Sequence, residues 1–224
     1  MCGLFGFISR SGRGPDLDRL RRIALETQLR GDHAFGLAWI ARDGKLHAFK
    51  CPGPASDNLA ELDRCQGALI VAGHCRYATH GTPDENRNNH PHRAGRGWLV
   101  HNGVVRNHAR IAEHYGLITQ TECDSEVLGL LMAKIPGSLQ RRAAFAVDAT
   151  EGPLAMLGVW SRPARLLVVR RGNPLWVGAT RIGAYFGSLP GELPAIPQPI
   201  SDGYAIVHAL DDRMFDPEAT TINN

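Results

Sequence analysis

Apolar and polar positions along the 224-residue chain follow two different periods. Gly3 to Ser9 reads Gly-Leu-Phe-Gly-Phe-Ile-Ser, a short run of aromatic and branched side chains closed by a turn-rich Ser-Gly-Arg-Gly-Pro, and predicts a strand that starts almost at the first residue. From Asp16 to Arg30 the period lengthens. Leu17, Leu20, Ile23, Ala24 and Thr27 recur at helical spacing while Arg19, Arg21 and Arg22 face elsewhere, which predicts an amphipathic helix. Gly36 to Ala41, Lys45 to Cys51 and Ala68 to Ala78 return to strand-like runs, separated by Asp43-Gly44 and by Pro52-Gly53-Pro54.

Trp98 to His101 predicts another strand, and Asn107 to Tyr115 a helix closed by Gly116. A longer helix is expected over Asp124 to Ile135, stopped by Pro136-Gly137, with Asp124 or Ser125 as its cap. A further helix at about Ser138 to Ala149 precedes a second set of strands at Leu154–Trp160, Leu166–Val169, Leu175–Ala179 and Tyr204–His208, with a Pro-rich loop over Leu189 to Pro199. Two groups of strands with helices between them imply an α+β layered domain. No internal repeat, low-complexity segment or linker interrupts it, so one domain is expected over 2–224.

Composition narrows the function classes. A hydrophobic content of 43% is enough for one substantial core, and 25 Lys+Arg against 22 Asp+Glu, scattered along the chain, implies no nucleic-acid partner. No apolar run approaches the roughly 20 residues that cross a bilayer, and no signal-like N-terminus is present, so neither membrane nor export is expected. The five cysteines, Cys2, Cys51, Cys65, Cys75 and Cys123, are odd in number and lack a C-x-x-C, which suggests reduced thiols in a cytoplasmic protein.

Candidate chemistry begins at Cys2. A small residue after the initiator Met is where Met is normally trimmed, and trimming would leave a thiol and a free α-amine on one residue. The thiolate is the reactive species, and an α-amine titrating at about 7.7–8.0 could take its proton. The bland alternative is a second residue that is merely small. Gly73 to Gly81, Gly-His-Cys-Arg-Tyr-Ala-Thr-His-Gly, places polar and charged side chains at the end of an apolar strand, where Arg76 offers a carboxylate-binding fork or a surface salt bridge. His101-Asn102-Gly103 follows a strand, so that the Asn102 amide and the next N–H could form an oxyanion hole, or else an ordinary Asn-Gly hairpin turn. Asp124 could hold a substrate ammonium or simply cap its helix. Asn89-His90-Pro91-His92 has no acidic residue or cysteine pair at ligand-like spacing, so its histidines read as hydrogen-bonding loop residues. No metal or other cofactor is expected.

Together Cys2-Gly3-Leu4-Phe5-Gly6, Arg30-Gly31, Gly73 to Gly81, Asn89 to His92, His101-Asn102-Gly103 and Asp124-Ser125-Glu126 resemble, in order and spacing, the class II glutamine amidotransferases. The resemblance is closest to the glutaminase half of glucosamine-6-phosphate synthases and covers roughly the whole chain. It implies an N-terminal-nucleophile hydrolase fold, a four-layer αββα sandwich. It also implies Cys2 as nucleophile, Asn102 and the Gly103 N–H as oxyanion hole, Arg76 for the α-carboxylate of L-glutamine and Asp124 for its α-ammonium. Tyr77, Thr79, His80, His90 and Arg30 match positions that line or support the pocket. Two positions depart from the family pattern. Arg30-Gly31-Asp32-His33-Ala34-Phe35-Gly36 carries His33 where an acid is common, or has its acid moved one place to Asp32, and Tyr77 replaces a frequent Trp.

The implied reaction releases glutamate and ammonia through a γ-glutamyl thioester. The family usually couples this to a synthase, so ammonia passed to an acceptor enzyme on a separate chain is the expectation here. The alternatives are a hydrolase of another γ-glutamyl amide and a non-catalytic regulatory module of the same fold.

Overall fold

The computed structural model describes residues 1–209. Residues 210–224, assigned above to the same single domain, lie outside the described residues. The chain forms β1 (Gly3–Ser9), α1 (Leu17–Gln28), β2 (Ala34–Ile40), β3 (Leu46–Pro52), a 3₁₀ segment (Ala55–Cys65), β4 (Ile70–Arg76), a 3₁₀ turn (Asn86–Asn88), β5 (His92–Ala94), β6 (Gly97–Gly103), α2 (His108–His114), α3 (Glu126–Lys134), α4 (Leu139–Ala149), β7 (Leu154–Trp160), β8 (Arg165–Arg171), β9 (Trp176–Ala179), β10 (Gly183–Gly187), β11 (Gln198–Pro199) and β12 (Gly203–His208).

These strands make a seven-stranded sheet, ordered β11-β9-β10-β1-β4-β2-β3, and a five-stranded sheet, ordered β12-β8-β7-β6-β5. All strand pairs are antiparallel. The expected second set of strands is divided: β7, β8 and β12 extend the second sheet, while β9, β10 and β11 return to the first. That return is a long-range pairing, with Phe7 opposite Tyr185, which no local pattern specifies.

Period-2 alternation explains the layers. In β1, Leu4 and Ile8 join Ala38, Ile70 and Ala72 against Val100, Leu157, Val159 and Val168 of the second sheet. Phe5 and Phe7 point the other way, onto Leu20, Ile23 and Ala24 of α1 and onto Leu62 and Cys65 of the 3₁₀ segment. The second sheet buries its outer face, including Leu99, Met156 and Leu167, beneath Val127, Leu128 and Leu131 of α3 and Leu139, Ala143 and Ala146 of α4. The result is helix, sheet, sheet, helix, the expected αββα sandwich. No helix among the described residues is long and apolar enough to cross a membrane.

Candidate active site

Antiparallel pairing brings distant segments to one end of the sandwich. Gly3 of β1 lies opposite Cys75 of β4, which delivers the preceding residue, Cys2, to the chain that leaves β4 at Arg76 and Tyr77. The Tyr77 backbone brackets the sulfur: its N–H donates to Cys2 Sγ at 3.3 Å, and Sγ donates to the Tyr77 carbonyl at 3.4 Å. Arg30, just beyond α1, donates from Nε to the Cys2 carbonyl at 2.9 Å. A Cβ on Gly31 would come within 2.5 Å of the Tyr77 nitrogen, so a glycine is required where this loop crosses β4.

The second sheet supplies Asn102 and Gly103. They are the last residues of β6, opposite Ala155 and Leu154 of β7, and not the tip of a hairpin. Asn102 is 1% exposed, and neither end of its side-chain amide has a partner among the described residues. Buried polar groups are seldom left so, which marks the amide as free to meet a ligand or water. Its carbonyl is fixed by Asn173 Nδ2 at 2.8 Å. Gly103 has φ of 154°, and a Cβ there would lie 2.4 Å from the Pro153 carbonyl. Cys2, Asn102 and Gly103 line one cavity of about 150 Å³ together with Met1, Tyr77, Thr79 and Asn173. Through Thr79 it meets an open cleft of about 640 Å³ lined by His33, His80, Gly81 and Glu122.

Asp124 is buried at 2% exposure just before α3, and it does not cap that helix. Its Oδ2 accepts the Val105 N–H at 2.6 Å, while Oδ1 faces His80 Nδ1 at 3.7 Å. Neighbouring Ser125 Oγ pairs with His101 Nδ1 at 2.8 Å. Arg76 is neither an exposed salt bridge nor an open fork. At 2% exposure, its Nη1 donates to Asn89 Oδ1 at 2.7 Å and its Nη2 to the carbonyls of His80 and Gly81 at 2.5 and 3.0 Å. It therefore organises the turn that carries His80.

The two positions that depart from the family pattern meet in space: the rings of His33 and Tyr77 stack at 4.8 Å. His33 Nδ1 also accepts the Ala78 N–H at 3.0 Å, which ties the Arg30 loop to the strand exit without an acid. Thr79 Oγ1 lies 3.3 Å from His80 Nδ1. His90 lines neither cavity. It is buried behind the site, its ring 4.0 Å from that of His74 and 4.5 Å from that of His92. The reading of His90 as a hydrogen-bonding loop residue fails, because both its ring nitrogens are buried without a partner among the described residues. Spacing along the chain gives no sign of Cys123, which the fold brings beside this pair; ligand atoms of His90, His92 and Cys123 lie within 4.8 Å of one another.

Burial raises the pKa of the Cys2 thiol; the Tyr77 N–H, the N-terminal ammonium and Arg76 partly offset that, and Asp124 adds to it. The resting sulfur is thus a thiol. Burial likewise pushes His74 down to about 3 and His101 to about 4, so both are neutral near pH 7. Asn173 escapes a reading of the sequence, since Gly172-Asn173-Pro174 is an unremarkable turn, while Asn89 stands in the Asn89–His92 block with no role of its own to mark it.

No family model matches the chain. Glutamine–fructose-6-phosphate aminotransferase (isomerizing) from Symbiobacterium thermophilum is 34% identical over 205 residues, spanning 88% of this chain and 32% of that protein. The Methanothermobacter thermautotrophicus protein of the same name is 32% identical over 241 residues, or 99% of this chain and 39% of its own length. The chain thus spans about a third of the curated relatives it matches. Among solved structures, glutamine phosphoribosylpyrophosphate amidotransferase from B. subtilis superposes with a TM-score of 0.78 at 24% identity, covering 92% of this chain and 47% of that one. That likeness speaks to the fold.

Proposed function

The chain belongs to the class II glutamine amidotransferase family, and we propose that it hydrolyses L-glutamine to glutamate and ammonia through Cys2 and passes the ammonia to an acceptor enzyme on a separate chain. One observation carries the reading: a thiol at Cys2, an unpartnered buried amide at Asn102 and the Gly103 backbone face one cavity of about 150 Å³. Nucleophile and oxyanion donors are the pair that acyl transfer needs.

Because burial keeps the thiol protonated, a base must act first. Removal of Met1 would place the α-amine of Cys2 beside its own sulfur, with an ordinary pKa of about 7.7–8.0 suited to that task. The thiolate adds to the side-chain carbonyl carbon of glutamine, and the oxyanion is met by Asn102 and the Gly103 N–H, each donor worth about 2.7–4 kcal/mol. The protonated amine then gives its proton to the departing nitrogen. The C–N bond breaks, ammonia leaves and the γ-glutamyl thioester remains. Water attacks that thioester, with the amine again taking a proton, and glutamate and the thiol are regenerated.

Substrate placement follows from the same groups. Asp124 Oδ1, free of backbone bonds, would take the α-ammonium beside His80, while Thr79 and Tyr77 wall the cavity. Arg76 contributes its positive field and holds the His80–Gly81 turn. The direct carboxylate contact that the family resemblance implies requires that turn to release one guanidinium nitrogen. Arg30 and His90 act from behind, through the Cys2 carbonyl and the His74 ring. All five thiols are unpaired, which supports work in the reducing cytoplasm.

The deciding experiment is mass spectrometry after incubation with a glutamine-analogue diazo ketone. Labelling of Cys2 alone among the five cysteines, in chain lacking Met1, is the expected outcome; labelling elsewhere, or glutamate production that survives Cys2→Ala, overturns the reading. A second reading, hydrolysis of a larger γ-glutamyl amide, draws on the 640 Å³ cleft that meets the cavity at Thr79. Comparative rates on glutamine and on γ-glutamyl anilide separate the two.

A further inference from the structure

Behind the site, four imidazoles are buried together, and they are not equally provided for. His74 Nε2 lies 3.0 Å from the His101 carbonyl, and His101 Nδ1 is 2.8 Å from Ser125 Oγ, its Nε2 having no partner among the described residues. His90 and His92 are each 3% exposed, yet both ring nitrogens of His90 and Nε2 of His92 lack any partner among the described residues. A neutral imidazole always presents one N–H and one lone pair, and a buried ring that satisfies neither has given up its water without replacement. Cys123, 5% exposed, closes the cluster from the segment before α3.

We propose that His90, His92 and Cys123 form a binding site for one zinc-class divalent cation, held by a ring nitrogen of each histidine and by the Cys123 thiolate, with a fourth position open to water. Their ligand atoms lie within 4.8 Å of one another. Tetrahedral zinc, with bonds of about 2.0–2.3 Å, wants its ligand atoms roughly 3.3–3.8 Å apart, so binding draws these atoms together by about 1 Å or a little more. The donor set is borderline-soft, which suits zinc over magnesium or calcium.

The protonation states agree with this assignment. Burial holds His90 and His92 well below the usual imidazole range, so their lone pairs are available at pH 7. Burial raises the Cys123 thiol to about 11, so thiolate coordination requires the metal to displace its proton. The surrounding charges are mixed. Lys50 Nζ, held by the carbonyls of Arg87, Asn89 and Pro91, and Arg76 stand against the carboxylates of Asp124 and Glu126. Lys50 opposes a bare cation but favours the thiolate. An occupied site would clamp the loop that supplies Asn89 to Arg76 onto Cys123, whose thiol donates to Asp124 Oδ1 at 3.9 Å, and so would brace the proposed substrate-placing groups from behind.

The test uses the full chain carrying Cys2→Ser, because the N-terminal thiol and amine could themselves chelate. After stripping with chelator and addition of zinc alone, one equivalent is expected to remain through gel filtration. Affinity should fall at least tenfold in His92→Ala and in Cys123→Ser, both checked for fold by circular dichroism. Cobalt(II) should give the intense visible bands of a tetrahedral site and a thiolate charge-transfer band that Cys123→Ser abolishes. Should either variant fail to fold, zinc must still protect Cys123 from alkylation in the parent chain. Uptake unchanged by both substitutions, a six-coordinate cobalt spectrum without the thiolate band, or alkylation of Cys123 at the same rate with and without zinc would each overturn the site.

Discussion

The starts of α1 and α3 look alike in sequence and behave differently in the fold. Before α1, Asp16 adopts an extended backbone and its side chain accepts the Arg19 N–H at 3.1 Å, an ordinary N-cap. At the start of α3 three polar residues stand in a row, Asp124 and Ser125 before the helix and Glu126 at its first position, and none caps. Asp124 reaches Val105 and faces His80, Ser125 reaches His101, and Glu126 accepts the N–H groups of Gln120 and Thr121. The helix can spare them because six of its nine residues are buried, Val127, Leu128, Leu131 and Met132 among them, whereas α1 buries only Leu20, Ile23, Ala24 and Thr27 of its twelve. A helix anchored by packing frees its first residues for other work.

The largest separation between the two ends should come from exchanging the carboxylates. Asp124→Asn is expected to lower kcat/KM for glutamine by thirty- to a thousandfold, about 2–4 kcal/mol, as steady-state glutamate release would show. An effect under threefold would return Asp124 to a structural role.

Acid should weaken the α3 end next. His101 is neutral in the fold with its pKa pushed down to about 4, against about 6.5 when unfolded, so the unfolded chain takes the proton first. Stability from this group is fully present above pH 6.5 and is lost as pH falls toward 4, by an amount on the order of 3 kcal/mol. Urea unfolding across that window measures it, and a flat profile would contradict a buried neutral His101.

Smaller effects test Ser125 and the Asp16 cap. Ser125→Ala leaves His101 Nδ1 without its partner and should cost about 1–3 kcal/mol in unfolding free energy, with a lesser loss of activity. Asp16→Ala removes only a cap. Its expected cost is about 1 kcal/mol, or roughly 2–4 °C in Tm, with kcat/KM unchanged; a loss of activity there would erase the distinction between the two helix starts.

What could be read without coordinates was local. Strand and helix positions follow from periods of 2 and 3.6, and α1, α2, α3, α4, β1 and β7 lie within a few residues of where the pattern puts them. The short β5 (His92–Ala94), β10 (Gly183–Gly187), β11 (Gln198–Pro199) and the 3₁₀ segment Ala55–Cys65 escaped, because brief or Pro-rich runs carry too few positions to show a period. Cys2, Arg76, Asn102, Gly103 and Asp124 stood out through the ordered blocks around them, not through their individual chemistry.

The sequence by itself determined the layered α+β class, the elements and the family to which these blocks belong. Only the tertiary structure decided that β9 and β10 rejoin the first sheet, that Arg76 turns inward onto Asn89, and that Asp124 abandons its helix. It alone stacked His33 on Tyr77 and set Cys123 beside His90 and His92. The physical reason is range. Propensity and periodicity act over a few neighbouring residues, whereas strand pairing and the fate of a buried hydrogen bond depend on partners tens to hundreds of positions away, which become neighbours only when the two sheets close on their shared core.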